Sequence, residues 1–157
     1  MSTPKAIAQA ITANLRTGIT PAFGHVYSGM RVRPQQPWPV AMLNLIEQPA
    51  VETRYTMKGI GEIPGKKRIL YRPRLTVLWP QQENLSSDDG ADTLAVLDLI
   101  ESVKASLRIH TSLGGLVLKC AEDEIAVRAT WEPQNVPLWT LEFDFTVLDE
   151  INAVPQG

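Results

Sequence analysis

The chain of 157 residues has a single cysteine, Cys120, and two histidines, His25 and His110. One cysteine excludes an internal disulfide framework and a cysteine-rich zinc site, and it suits a chain made in a reducing compartment. No stretch reaches the roughly 18 consecutive apolar residues that a membrane helix needs, so no membrane partner is expected. The opening Met1-Ser2-Thr3-Pro4-Lys5 has no apolar run behind its lysine, so no secretory signal is expected either. Net charge is small, −2 from 15 basic and 17 acidic side chains. No global field therefore draws the chain to nucleic acid or to an anionic surface. What remains is an ordinary globular mix, 44% hydrophobic and 20% charged, with enough apolar material for one core. The expectation is a single domain over 1–157, with an ordered core at about 4–150 and a loose tail over 151–157.

Hydrophobic spacing divides the chain into two helices and several strands. Ser2 or Thr3 can cap a helix from Pro4 to Leu15, where proline suits the first turn because its missing N–H would be unpaired there anyway. Ile7, Ala10, Ile11 and Leu15 recur on one face. Gly18 and Pro21 end the helix, and residues 17–37 read as an irregular connection rich in glycine and proline. Trp38 to Ile46 is nearly all apolar, as in a strand covered on both faces. Val51–Lys58 and Lys67–Trp79 both alternate around the turn-rich Gly59–Gly65, which predicts a long hairpin. Pro73 cannot donate to a ladder and predicts a bulge or an edge there.

The second helix is predicted from Ser86 to Arg108. Asp88, Asp89 and Asp92 sit at its positive end and Lys104 and Arg108 at its negative end, while Val96, Leu99, Ile100, Val103 and Leu107 form a buried stripe. Leu116–Cys120 reads as a short strand. Ile125, Val127, Ala129 and Trp131 alternate in the next one. A last strand sets Trp139, Leu141, Phe143, Phe145 and Val147 against Thr140, Glu142, Asp144 and Thr146. Hairpins with two helices define an α+β fold: a mostly antiparallel sheet, a long helix on one face, a short N-terminal helix and a long hairpin.

The residues that carry chemistry are scattered. Neither histidine has a carboxylate or cysteine at ligand spacing, and both read as surface or capping residues. Cys120 lies in an apolar strand and reads as a buried, inert thiol. Gly59-Ile60-Gly61 lacks the third glycine and the helix of a dinucleotide loop, and Gly114-Gly115 precedes a strand. Glu122-Asp123-Glu124 reads as a solvated turn. No catalytic, cofactor-binding or metal residue is assigned, and the protein is expected not to be an enzyme.

The one local charge anomaly is in the hairpin. Lys58, Lys66, Lys67, Arg68, Arg72 and Arg74 face one acid, Glu62. Such charges either keep an edge hairpin soluble or reach an acidic surface on a neighbour or on nucleic acid. Glu142 and Asp144, with the helix start at Asp88 and Asp89, would be complementary on an identical neighbour. The candidate interface set is therefore Lys66, Lys67, Arg68, Arg72, Arg74, Glu142 and Asp144.

Taken together, several segments resemble the tail-terminator, or tail-completion, proteins of long-tailed bacteriophages. They are the helix Pro4–Leu15, the apolar strand after prolines (Pro37-Trp38-Pro39-Val40-Ala41-Met42-Leu43), the strand ending Leu75-Thr76-Val77-Leu78-Trp79-Pro80, the helix Ser86–Arg108 and the closing strand Trp139–Val147. The resemblance spans residues 4–150. The long hairpin and the segment Leu113–Asp123 depart from the family pattern. The resemblance implies a structural virion protein that forms a six-membered ring with itself and caps the finished tail tube. It would end tube polymerisation and offer a surface to the head–tail connector protein. It also implies no reaction, no small-molecule substrate and no cofactor, with assembly in the host cytoplasm and a place at the head-proximal end of the tail. A head–tail connector or neck subunit, and a small nucleic-acid-binding module using the basic hairpin, remain alternatives.

Overall fold

The computed structural model describes residues 3–31, 34, 37–45, 51–55, 66–80, 91–121, 124–132 and 138–152. The fold is α+β, with two helices and two mostly antiparallel sheets. Helix α1 spans Pro4–Leu15; Thr3 caps it, its side-chain oxygen accepting from the Ala6 N–H at 3.1 Å. Ile7, Ile11 and Leu15 bury completely on its inner face. Thr12 buries there too and satisfies its hydroxyl on the Ala8 carbonyl (3.0 Å) and on the Ser28 hydroxyl (2.8 Å). Gly18 follows at φ +77°, a conformation glycine adopts freely.

The strands are β1 (His25–Tyr27), β2 (Val40–Asn44), β3 (Val51–Tyr55), β4 (Lys66–Tyr71), β5 (Arg74–Pro80), β6 (Lys119–Cys120), β7 (Ala126–Glu132), β8 (Leu138–Asp144) and β9 (Val147–Asn152). One sheet has the order β1-β2-β5-β8-β7 and the other β3-β4-β9-β6. Among the described strands only β1, beside β2, runs parallel to its neighbour.

A single ribbon ties the two sheets together. Tyr71 of β4 lies opposite Val147 of β9, and three residues on Arg74 of β5 lies opposite Asp144 of β8. The register therefore passes from one sheet to the other without a slip. Between these pairs Pro73, which has no N–H, offers only its carbonyl, and the Phe145 N–H donates to it at 3.4 Å. The expected strand Lys67–Trp79 is thus two strands broken at its proline. The break is not at an edge: β5 lies between β2 and β8, and β4 between β3 and β9. A proline is accommodated at the centre because the ladder itself is interrupted there.

Helix α2 spans Ala91–Ile109; the expected capping residues at 86 and 87 lie outside the described residues. Val96, Leu99, Val103 and Leu107 are buried and Ile100 half-buried. They belong to one apolar cluster with Leu75 and Val77 of β5 and with Leu141, Phe143 and Phe145. That is the docking expected from the stripe. The connection after α1 also reaches the middle of α2, where the Thr20 N–H donates to the Ser102 hydroxyl at 2.9 Å.

Four expectations change. The stretch 17–37 contains the short strand β1, three residues long. The strand expected over Leu116–Cys120 shrinks to β6, because residues 111–116 are turns and Leu113, Gly114 and Gly115 all have positive φ. In β7, Ile125 before the strand is buried and Val127 half-buried, but Ala129 and Trp131 are exposed. Alternation correctly gives their face, but β7 is the last strand of its sheet and the buried core stops short of it. At the other end, β9 runs to Asn152, two residues into the segment expected as tail.

Candidate functional site

Of the seven candidate interface residues, five lie along the ribbon where their side chains are described. Arg74 sits at the start of β5, directly opposite Asp144. Its Nε donates to Asp144 Oδ1 at 2.7 Å and its Nη2 to Asp144 Oδ2 at 3.2 Å, the parallel two-point pairing that guanidinium and carboxylate geometry favour. Its Nη1 lies 3.1 Å from Glu142 Oε2. Arg74, Glu142 and Asp144 therefore meet within one chain. Alternation could place the two acids on one face, but it could not show that an arginine from β5 reaches both, because that depends on register.

Arg68 and Arg72 are exposed. Arg68 of β4 lies opposite Glu150 of β9, and its Nε is 3.2 Å from Glu150 Oε2. With half of the arginine side chain in water, that pair constrains it weakly. Arg72 lines a depression of about 390 Å³ whose wall mixes Arg74, Glu124 and Asp144 with Pro73, Ala126 and Phe145. Lys66 and Lys67 begin β4, between β3 and β9; their side chains, the hairpin tip and Asp88 and Asp89 lie outside the described residues. The hairpin itself is no free arm. Strand β4 pairs on both sides within the chain, so the apolar need for an outside partner that a bare two-stranded arm would have is already met.

The scattered chemistry stays scattered among the described residues. His25 stacks on Tyr27 at 5.6 Å between ring centres, with the Arg31 guanidinium 4.8 Å over the same tyrosine. His110 is exposed beyond the end of α2. Among the described residues no three of His, Cys, Asp and Glu group as metal ligands, and no helix is long and apolar enough to cross a membrane. A groove of about 680 Å³ runs between α1 and the end of β2, lined by Pro4, Ala8, Met30, Leu43 and Leu45.

Cys120 is buried, and burial pushes its thiol from 9.0 up to about 12, the backbone hydrogen bond at Ala121 opposing only part of that. A folded value above the unfolded one means that burial of the neutral thiol adds stability below about pH 9. That contribution is lost as pH rises through 12. The native protein should therefore resist alkylation by iodoacetamide at pH 8, and label quickly only once unfolded in denaturant. Rapid native labelling would place the thiol at the surface.

Sequence reasoning missed one residue of note. Asp149 is buried on β9, its Oδ1 accepting from the Glu150 N–H at 2.9 Å. The signal was present: extending the alternation of 141, 143, 145 and 147 by one step puts an aspartate on the inner face.

The outer face of α2 supplies a surface of the opposite character to the hairpin. Leu94 and Leu97 are 59% and 53% exposed, and Asp98 and Glu101 follow them at helical spacing and are also exposed. Compared with known proteins, the chain matches no family model and no curated protein.

Proposed function

We propose that this protein is a tail terminator of a long-tailed phage, a structural subunit that closes into a six-membered ring on the end of the tail tube. The reading rests on the resemblance in layout and on an α+β fold with a long helix across one sheet. The observation that carries it is the presence on one subunit of two different exposed surfaces, one with two arginines and one with leucines beside carboxylates, of which Glu101 lies 3.8 Å from Lys104. Strand β4 and the link after it offer Arg68 and Arg72 to solvent, with Lys66 and Lys67 just before Arg68 in sequence. The outer face of α2 offers Asp98 and Glu101 beside Leu94 and Leu97. Ring closure needs such a head-to-tail contact, in which one patch meets a different patch on the next copy. The end of the tube and the head–tail connector are the further partners of such a ring.

Rim charges set association rate and register and weaken with salt. Lys66→Glu, Lys67→Glu and Arg68→Glu together should slow or block capping of tail tubes at low salt while the subunit stays folded. Sedimentation or native mass measurement with and without tubes reads both. A wild-type protein that ignores tubes would overturn the terminator reading. A triple variant that caps them normally would overturn the role given to the hairpin. Salt-sensitive DNA binding, lost in the same variant, would favour the nucleic-acid reading instead.

A further inference from the structure

Among the described residues strand β7 ends its sheet and is paired on one side alone, through seven consecutive positions from Ala126 opposite Asp144 to Glu132 opposite Leu138. Both of its faces are open: every residue is exposed except half-buried Val127. Natural sheet edges of this length are defended by proline, a bulge, a covering element or charged side chains, lysine above all. Strand β7 has neither proline nor lysine, its register is regular, its two charges, Arg128 and Glu132, are of opposite sign, and Trp131 is 38% exposed near its end. Trp131 packs on Trp139 at 5.1 Å, and the register sets Trp79, Trp139 and Trp131 side by side across three strands. That row ends in water.

We infer that two copies of this chain pair edge to edge through β7, antiparallel, about a two-fold axis at Thr130. The sequence Arg128-Ala129-Thr130-Trp131-Glu132 is complementary to itself in that one register. Arg128 falls opposite Glu132 of the second copy and Glu132 opposite its Arg128. Trp131 falls opposite Ala129, large against small, and again reciprocally. Thr130 meets Thr130, a favourable cross-strand pair. Arg128 already lies opposite Glu142 across β8, so pairing sets the guanidinium between two carboxylates on one face. On the other face the tryptophan row continues over the second copy's Ala129. Competing registers lose this. An in-register parallel pairing sets Arg128 on Arg128 and Glu132 on Glu132, and moving the axis by one residue sets one charge opposite Thr130 and the other opposite Ala126 or Gln134, so no opposite charges meet. An isologous contact of this kind closes at two subunits. It uses a different edge from the hairpin and does not rest on the ring reading.

The test is a charge swap on the full chain, read by sedimentation equilibrium over a concentration series, with far-UV circular dichroism as the check on folding. Wild type should dimerise. Arg128→Glu and Glu132→Arg should each weaken the dimer about tenfold, since each turns two symmetry-related attractive pairs into repulsive ones. Glu132→Arg is the cleaner single variant, because its neighbour in its own sheet is Leu138 and not a charge. Combining the two restores opposite charges across the two-fold and should recover dimerisation. The recovery cannot come from within one chain, because Arg128→Glu still leaves two carboxylates opposed across β7 and β8. A wild-type chain that is monomeric throughout, or singles that associate like wild type, would overturn the proposal. So would a double variant no tighter than the singles, the result expected if β7 met a different strand.

Discussion

Phe143→Ala is expected to cost about 3–5 kcal/mol, the largest loss of any single truncation among the described residues. Phe143 is the largest of their fully buried side chains. It lies in the middle of β8, with Leu75 of β5 opposite on one side and Val127 of β7 on the other. Leu75 and Leu99, in the same apolar cluster, have no exposed surface either. Strands on both flanks are held by their ladders, so the walls cannot collapse into the space the ring leaves. The cost is then lost transfer energy plus an unfilled cavity. Against a typical total of about 5–15 kcal/mol, the loss should move the urea midpoint sharply with little change in slope. Leu99→Ala, from the helix side of the same core, should cost about 2–5 kcal/mol. A loss under about half a kcal/mol in either would mean that α2 does not dock on this face.

The α+β class was legible because two different periods were present. A 3.6-residue repeat marks α1 and α2, and a two-residue repeat marks the strands on either side of Pro73 and through Phe143. Each names its buried residues correctly: Ile7, Ile11, Leu15, Val96, Leu99 and Val103 on helices, and Ile69, Tyr71, Leu75, Val77 and Leu141 on strands. Strand β1 was not legible, since three residues are too few for any period and its pairing with β2 is parallel and non-local. Ala129 and Trp131 carry the right pattern and yet are exposed, because alternation reports which face a residue takes and not how far the covering layer extends. The division into two sheets follows from one proline meeting a second strand at Phe145, a coincidence of register that a single strand cannot announce.

The candidate surface was half legible for the same reason. The basic run in the hairpin stands out in composition, and Arg68 and Arg72 do reach solvent. The ion-pair partners depend on which strands are neighbours. The sequence separation between Arg74 and Asp144 is 70 residues, and only the shared ribbon brings them to 2.7 Å. The same geometry removes Arg74 from the set of cations most able to serve a partner, and it takes up Glu142 and Asp144 at once. The segment after α2, residues 110–121, has a structural use as well. The Ala121 N–H donates to the Thr146 carbonyl at 2.7 Å, and the Cys120 N–H to that of Thr111, fastening the end of α2 to the point where the ribbon changes sheets.

That point gives the second large effect. Arg74→Glu should destabilise the subunit by roughly 2–3 kcal/mol at low salt, and Arg74→Ala by about 1 kcal/mol. Alanine removes a two-point pair and one further contact, all partly in water, where such pairs are individually weak. Glutamate goes further, setting a third carboxylate against Asp144 and Glu142 at positions that face each other across strands. The excess of the reversal over the truncation is electrostatic, so it should shrink as ionic strength rises and the Debye length falls below the spacing of the charges. Combining Arg74→Glu with Asp144→Arg should return much of the loss, because the opposite pairing is restored across the same ladder. Urea unfolding at low and high salt, repeated over a range of protein concentrations, reads every arm. If the cluster acts within one chain, the cost of Arg74→Glu is the same at every concentration. A cost that grows as the protein is concentrated would instead make Arg74 a contact between subunits, and the ion pairs with Asp144 and Glu142 would lose their place in holding the ribbon together.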